Sequence, residues 1–278
     1  MDLTKKRLTV ALIGCGFIGE ALAKAIDTDI GNMIELITVY DEKNDQALRL
    51  SESLSSRPVI AENADDIFAN AGIDLVIEAA SQKAVKSYLL KALASGKSMM
   101  ILSVGALDDR LLMEATSLAR EMNVKVYVPS GAVAALDWIK AASRAGLEKV
   151  AITTKKPPQS FEGSPYVVEN RIDLRSIDKP TQIYEGPASE ACSFFPANVN
   201  VATALGLAGI GNQKTMVRVV ADPTVRQNVH EITAEGIAGK ITVRIENVPA
   251  PANSKTSLVA SLSAIQKLKE IVEPLSLG

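Results

Sequence analysis

A glycine-rich turn followed by an acidic residue is the first feature of the sequence that points to chemistry. Gly14, Gly16 and Gly19 have the spacing G-x-G-x-x-G, directly after the apolar run 8–13 and at the start of an apolar-periodic segment, 20–26. Asp41 follows a second apolar run, about 20 residues further along the chain. This order of strand, glycine turn, helix, strand and acid is typical of a unit that binds a dinucleotide.

Each glycine of the turn has a physical reason to be glycine if a dinucleotide binds. Gly14 lets the chain turn tightly out of the strand, Gly16 lets a pyrophosphate approach the backbone, and Gly19 lets the helix pack close to the strand. Phe17 and Ile18 lie at the helix N-terminus, where free N–H groups and a partial positive charge favour phosphates. The alternative is an ordinary strand–helix–strand unit that happens to contain a glycine turn.

Asp41 bears on the choice of cofactor. We expect its carboxylate to accept hydrogen bonds from the hydroxyl groups of the adenine ribose. A 2′-phosphate at that place would meet a like charge, so the sequence predicts NAD as the cofactor. NADP stays possible, because the nearby Lys43 could tolerate a phosphate.

The chain contains a single histidine, His230. Histidine is the side chain whose unperturbed pKa lies near neutrality, and an enzyme that moves a hydride to a nicotinamide must also move a proton. His230 is therefore the candidate catalytic acid or base. The alternative is a histidine at the surface, or one satisfied within the core.

Amides and cations supply the other candidates. Asn198 and Asn200 follow Pro196 at the predicted start of a helix, where they either cap the helix or contact the nicotinamide or the substrate. Cations that suit a carboxylate substrate are Lys155, Lys156, Arg171, Arg175 and Lys255. Of these polar residues, we expect Asn198 and Lys255 to bind substrate.

The elements that position these residues fall into two groups. Apolar strands alternate with helices over residues 1–131, which predicts a Rossmann-type, doubly wound parallel sheet that forms a dinucleotide-binding domain. Ligands of such sheets lie beyond the carboxyl ends of the strands. Ala80 and Ser81, at the end of the apolar run 74–80, are therefore expected to contact the cofactor.

The pattern changes after Gly131. Helices are predicted at 132–145 and 196–208, and the segments 216–221, 225–234 and 240–248 alternate as antiparallel strands do. Residues 132–253 are therefore predicted to form an α+β domain with a mostly antiparallel sheet, for substrate binding and dimerisation. In the C-terminal segment 254–278, an amphipathic helix at 255–272 is expected to pack back on the first domain.

Composition narrows the class of protein. Of the 278 residues 47% are hydrophobic, and the net charge of −2 gives no basis for a nucleic-acid or anionic-membrane partner. Aromatic residues make up only 4%, which predicts an aliphatic core. Two cysteines form neither a disulfide framework nor a metal cluster, and no apolar run has the length of a transmembrane helix or a signal-peptide core. We therefore expect a cytoplasmic protein with free thiols and no metal.

Several segments of the chain, taken together, carry a family resemblance. They are 14–19 with Asp41, 78–81 (Glu-Ala-Ala-Ser), 129–137, 195–202 (Phe-Pro-Ala-Asn-Val-Asn-Val-Ala), 228–231 (Asn-Val-His-Glu) and 253–257 (Asn-Ser-Lys-Thr-Ser). In this order they resemble the L-aspartate dehydrogenase family over nearly the full chain. The glycine turn is widespread, whereas the segments in the second domain are much more specific. One departure is Ser254, where family members often have proline.

The resemblance implies an activity and assigns residues to it. It implies NAD(P)-dependent oxidative deamination of L-aspartate by a homodimer. The product, iminoaspartate, would hydrolyse to oxaloacetate and ammonia or feed quinolinate and NAD synthesis. His230 falls on the family's active-site histidine, and Ala134 and Asn200 fall on its cofactor-contacting positions.

Two steps of such a reaction could use His230. Hydride would leave Cα of aspartate for C4 of the nicotinamide, and the amine must be neutral for its lone pair to form the imine. His230 would take the amine proton, or activate the water that later attacks the imine, and the sequence leaves both open.

Two other functions fit the same sequence. One is a related two-domain dehydrogenase or reductase that acts on another small amino or keto acid. Its sugar-type members are disfavoured, because the segment 103–106 lacks their Glu-Lys-Pro motif. The other is a non-catalytic, NAD-sensing protein, which would keep the glycine turn without needing His230 or Asn200.

Overall fold

The computed structural model describes residues 7–196, 200–250, 253–275 and 277, without the side chains of 253–255. Over this part of the chain, no helix combines the length and the apolar character needed to cross a membrane. Contacts divide the chain into two compact units, Met1–Pro129 with Ser261–Leu277, and Ser130–Ala260.

The first unit is built on a six-stranded parallel sheet. Its strands are β1 (Leu8–Ile13), β2 (Ile34–Tyr40), β3 (Val59–Ile60), β4 (Leu75–Glu78), β5 (Ser98–Ile101) and β6 (Val126–Tyr127), and its connecting helices are α1 (Phe17–Thr28), α2 (Asn44–Ser53), α3 (Ala64–Ala69), α4 (Gln82–Ala94) and α5 (Asp109–Glu121). A 3₁₀ turn at Val104–Ala106 follows β5. The spatial order is β3-β2-β1-β4-β5-β6. The chain therefore reverses its direction across the sheet between β1 and β4, the point at which such folds form a ligand crevice.

The two central strands explain why this sheet forms in the middle of the unit. Val10 and Ala11 of β1 and Val76 and Ile77 of β4 are fully buried. Strands covered by helices on both faces need near-continuous apolar runs of this kind.

The second unit holds a five-stranded sheet with helices and short turns around it. Its elements are α6 (Leu136–Ser143), β7 (Leu147–Lys156), α7 (Pro165–Glu169), β8 (Thr181–Pro187), α8 (Ala188–Phe194), α9 (Asn200–Ala208), β9 (Met216–Ala221), β10 (Asn228–Gly236), β11 (Gly239–Asn247), β12 (Pro249–Ala250) and β13 (Asn253–Ser257). The order of the large sheet is β11-β10-β7-β9-β8, and β12 pairs with β13. Within the large sheet β7 and β9 run parallel, and the other neighbours run antiparallel.

The predicted fold class is confirmed, with corrections inside the second unit. The segment that forms β9 was expected to be antiparallel, but β9 lies next to β7 and runs parallel to it. β10 begins at Asn228, later than the predicted strand, since a turn precedes it. The last helix, α10, spans Leu258–Val272, because residues 253–257 form strand β13 instead of its first turn.

The core of the second unit is mostly aliphatic, as expected, but it also contains a cluster of aromatic rings. Phe161 and Phe195 are fully buried and meet edge to face, with ring centroids 6.1 Å apart. Tyr166, Tyr184 and Phe194 pack around them, with centroid distances of 5.1 to 5.8 Å among the three rings. Overall composition cannot show that the few aromatic residues of a chain gather in one place.

α10 completes the first unit. Ala264 and Leu268 are fully buried and lie in the same apolar cluster as Leu12 and Leu22 of β1 and α1. The opposite side of α10 is exposed, as at Leu262. The helix therefore covers part of the parallel sheet's core with one apolar face, the usual arrangement of an amphipathic helix.

Candidate functional site

A cleft of about 270 Å³ opens at the carboxyl ends of β1, β2 and β4. It is lined by Ile13, Gly14, Gly16, Tyr40, Asp41, Glu42, Lys43, Gln46, Ala79, Ala80, Ser81, Ala84 and Tyr88. The structure thus brings together five predicted cofactor residues, namely Gly14, Gly16, Asp41, Ala80 and Ser81. Phe17, Ile18 and Gly19 lie beside the cleft in the first turn of α1.

The three glycines of the turn meet different constraints. A Cβ on Gly14 would lie 2.7 Å from the backbone of Ala79 and Ala80, and its φ of +97° is left-handed. A Cβ on Gly19 would lie 1.9 Å from the carbonyl oxygen of Gly14, so α1 packs directly on the end of β1. Gly16 is different, because a Cβ there would have no atom within 4 Å. Packing explains the first two glycines, and Gly16 leaves open space where a ligand can approach the backbone.

Asp41 connects the glycine turn to the end of β2. Its Oδ2 accepts a hydrogen bond from the N–H of Cys15 at 2.8 Å, and its Oδ1 accepts one from the N–H of Lys43 at 2.8 Å. A carboxylate oxygen can accept two hydrogen bonds, so both retain capacity for a ligand hydroxyl. The two hydrogen bonds from the backbone fix the orientation of the Asp41 carboxylate.

Cys15 is a packing residue of the turn. Its side chain is buried, with Sγ 3.7 Å from the carbonyl oxygen of Tyr40. Burial, and then the charge of Asp41, raise the pKa of the thiol to about 12. The thiol stays protonated at neutral pH and is a poor nucleophile.

Glu78, the last residue of β4, lies behind the cleft wall, and the sequence analysis did not single it out. Its side chain is fully buried, and its carboxylate accepts hydrogen bonds from backbone N–H groups after β4 and after β5. Burial raises its pKa, and bonds from Ser103, Ala80 and Leu102 oppose the rise. The available signal was an acid inside the apolar run 74–80, a place where an acid is costly unless hydrogen-bonded.

The second unit has a polar region at one end of the core face of its large sheet. Thr154 and Lys156 of β7 and Asn228 and His230 of β10 are all buried, with His230 directly opposite Thr154. Further along the same strands the paired residues on this face are apolar, such as Ile152 opposite Ile232. At this end of the strands, polar side chains therefore occupy the positions that are apolar elsewhere on the core face. A polar ligand could bind to them there.

His230 is held by Thr154 and is neutral. Its Nδ1 lies 3.1 Å from the Thr154 hydroxyl oxygen. Burial, and then the nearby charge of Lys156, lower the pKa of His230 to about 3. If Nδ1–H donates to Thr154, then Nε2 presents a lone pair and acts as a base. If the hydroxyl donates to Nδ1, then Nε2–H is a donor.

The neighbouring lysines proposed as anion anchors point to opposite faces of β7. Lys155 forms an ion pair with Glu231 at 2.9 Å on the outer face, where such pairs contribute little to stability. Lys156 is only 3% exposed and lies on the core face with His230. Of the two, Lys156 is the one placed in the polar region.

The remaining predicted residues lie in the second unit. Ala134 is exposed, in a loop that is tied to the sheet because the Asn247 side chain donates to the Ala132 carbonyl at 3.0 Å. Asn200 is the first residue of α9. Asn198 and the side chain of Lys255 lie outside the described residues. Over the described part of the chain, no group of three or more His, Cys, Asp or Glu side chains is arranged to hold a metal ion.

Comparison with known proteins places the chain in a family. A family model described as "Aspartate dehydrogenase, C-terminal" matches residues 137–271, and one described as "Homoserine dehydrogenase, NAD binding domain" matches residues 14–129. L-aspartate dehydrogenase of Methanosarcina barkeri is 47% identical over 98% of this chain and 99% of that protein. The chain belongs to the L-aspartate dehydrogenase family. The resemblance predicted from the sequence is therefore confirmed.

Further family members and solved structures agree. L-aspartate dehydrogenase of Nitrosopumilus maritimus is 44% identical over 94% of this chain and 95% of its own. The crystal structure of aspartate dehydrogenase from Thermotoga maritima superposes with a TM-score of 0.77 at 27% identity, covering 98% of this chain and all of that one. A scyllo-inositol dehydrogenase from Lactobacillus casei has a TM-score of 0.60 at 16% identity, covering 99% of this chain and 91% of its own, and shares the fold alone.

The protonation of His230 can be followed directly by proton NMR as the pH is varied, because the chain has a single histidine and its signals are unambiguous. We expect no titration of the imidazole between about pH 5.5 and 8 in the ligand-free protein. The same chain unfolded in urea should titrate near the ordinary value of about 6.5. A midpoint near 6.5 in the folded protein would contradict the buried, neutral imidazole.

The lowered pKa of His230 also determines how the free energy of unfolding changes with pH. The unfolded chain binds a proton to histidine near pH 6.5, whereas folded His230 does so only near pH 3. The unfolded state therefore holds more protons between these values, and this group makes stability fall as the pH drops from 6.5 towards 3.

Proposed function

We propose that the protein catalyses the NAD(P)-dependent oxidative deamination of L-aspartate to iminoaspartate, which then hydrolyses to oxaloacetate and ammonia. The observation that carries this proposal is 47% identity to an L-aspartate dehydrogenase over 98% of the chain. The matched length spans both units. We further propose a homodimer whose iminoaspartate is available to quinolinate synthesis, as in the family it resembles.

The cleft of the first unit fits a dinucleotide. The open space at Gly16 and the N-terminus of α1 suit a pyrophosphate, and Asp41 suits the ribose hydroxyls. Because two backbone N–H groups hold the Asp41 carboxylate, it cannot easily turn away from a 2′-phosphate. We therefore propose NAD as the preferred cofactor. When bound, its nicotinamide ring supplies the hydride acceptor.

His230 is proposed to move the proton of the reaction. The substrate amine must lose a proton before its lone pair can form the C=N bond. With Nδ1–H donated to Thr154, the free Nε2 lone pair accepts that proton, and the imidazolium can later return it. Bound carboxylates would raise the pKa of His230 from about 3, since nearby anions favour the charged form. Activation of the hydrolytic water uses the same nitrogen.

The substrate carboxylates need cationic or amide partners. Lys156 is the buried cation beside His230, and we propose that it binds one carboxylate. Asn198 and Lys255 are proposed as further substrate contacts, and Ala134 and Asn200 as contacts to the cofactor, on the strength of the family motif.

The substrate assignment is tested by following NAD and NADP reduction over a panel of amino acids and 2-hydroxy acids. We expect turnover with L-aspartate and a higher kcat/KM with NAD than with NADP. Turnover with another acid in place of aspartate would identify a different member of this two-domain group. Tight NAD binding without turnover on any acid would favour an NAD-sensing protein.

The role of His230 is tested with His230→Gln. We expect kcat to fall at least about 100-fold, while the Kd for NAD stays within about twofold, because the imidazole moves a proton and does not hold the dinucleotide. Thr233→Val, on the same strand but the opposite face, is the control and should keep kcat. Near-normal kcat in His230→Gln would rule out the proton-transfer role.

A further inference from the structure

We propose that Glu78 is a positioning residue that holds the loops after β4 and β5 in the geometry that the cofactor needs. The inference rests on the proposed function, because it assigns this buried carboxylate to the assembly of the cofactor cleft. Glu78 does not line the cleft itself, so it acts through the backbone that does.

The carboxylate of Glu78 joins two separate loops. Oε1 accepts hydrogen bonds from the N–H groups of Ala80 and Ser81, each at 2.8 Å, just after β4. The Ser103 hydroxyl also donates to Oε1 at 2.8 Å. Oε2 accepts from the N–H groups of Leu102 at 3.2 Å and Ser103 at 3.0 Å, just after β5. One side chain therefore accepts from four backbone N–H groups and one hydroxyl at the carboxyl edge of the sheet, and the N–H of Leu102 also donates to the Glu78 carbonyl at 3.1 Å.

The donor set favours the ionised carboxylate, although burial raises the pKa of Glu78. The four backbone N–H groups can only donate, so a proton on the carboxylate would compete with them, whereas the Ser103 hydroxyl can donate or accept. Among the described residues no Lys or Arg forms an ion pair with Glu78, so these hydrogen bonds offset the cost of burying its charge.

Of the two loops that Glu78 joins, the one after β4 forms part of the wall of the cleft. Ala80 and Ser81 line it, and the backbone of Ala79 and Ala80 is what a Cβ on Gly14 would strike at 2.7 Å. Ser81 also caps α4, because its hydroxyl oxygen accepts from the N–H of Ala84 at 3.2 Å. A shift of this loop would therefore change the β4 side of the cleft wall and the start of α4 together.

The order of the strands shows which half of a dinucleotide depends on Glu78. Along the sheet edge Asp41 follows β2, the glycine turn follows β1, and the loops held by Glu78 follow β4 and β5. An adenine ribose on Asp41 and a pyrophosphate at the glycine turn leave the rest of the molecule to extend towards β4 and β5. Loss of Glu78 should therefore weaken NAD binding far more than the binding of AMP, which ends near the glycine turn.

The experiment measures the Kd of NAD and of AMP by calorimetry for the full chain and for Glu78→Gln. The amide has the same shape, but its NH₂ group would face N–H donors. We expect the Kd of NAD to rise at least about tenfold and that of AMP to change less than about threefold. Ser51→Ala is the control. It removes a buried bond from the Ser51 hydroxyl to the Pro58 carbonyl, 2.7 Å long, outside the cleft, and should alter neither Kd.

Each outcome decides the inference. An unchanged Kd for NAD in Glu78→Gln, or an equal rise for both ligands, overturns it, because general loss of structure weakens both. If Glu78→Gln does not fold, Ser103→Ala removes one of the five bonds, and it should raise the Kd of NAD about threefold without changing that of AMP. If Ser103→Ala binds NAD with the same Kd as the unaltered chain, the inference is overturned. Absence of NAD binding by the unaltered chain would instead defeat the proposed function, and the role of Glu78 with it.

Discussion

The first unit depends on how backbone N–H groups are satisfied where parallel strands end. Beyond the last ladder bond these groups have no strand partner, and buried N–H groups must be paired. Two carboxylates take this role, with Asp41 holding the ends of β1 and β2 and Glu78 holding the ends of β4 and β5. The cleft lies between the loops fixed in this way, so its shape follows from these bonds as well as from the glycine turn.

In the second unit, one face of the large sheet forms both the apolar core and the buried polar region. The core face is apolar over most of β7 and β10 and becomes polar at Thr154, Lys156 and His230. Burial keeps the imidazole neutral, and Thr154 restricts its orientation. The polar region thus holds a neutral imidazole and a buried lysine side chain that are already desolvated and positioned, which would reduce the reorganisation needed for the proposed proton transfer.

Much of the fold could be predicted from the sequence, because the periodicity of its apolar residues is strong. The apolar runs of β1, β2 and β4 follow from burial in a parallel sheet that is covered on both faces. The helical spacing of α4 follows from burial of one face of the helix against that sheet. The parallel pairing of β7 with β9 was missed, since alternation along a strand carries no information about its neighbours. The aromatic cluster around Phe161 and Phe195 was missed because it depends on contacts between distant segments.

In the candidate site, too, some residues could be predicted from the neighbouring sequence, whereas others depend on contacts with distant segments. Gly14, Gly16, Gly19 and Asp41 form a local pattern with a local physical cause, and the pattern predicted where the cleft would form. The function of Glu78 depends on donors more than 20 residues away, at Leu102 and Ser103, as well as on its own loop. The separation of Lys155 from Lys156 depends on which face of the sheet is covered. These facts require the tertiary structure.

The reaction that we propose begins with removal of hydride from Cα of L-aspartate. The most direct measurement uses L-aspartate deuterated at Cα with NAD, followed by mass spectrometry of the reduced cofactor. We expect the reduced cofactor to carry the deuterium, and oxaloacetate and ammonia to form in equal amounts. Reduced cofactor without deuterium, or no reduction of NAD by aspartate, would contradict it.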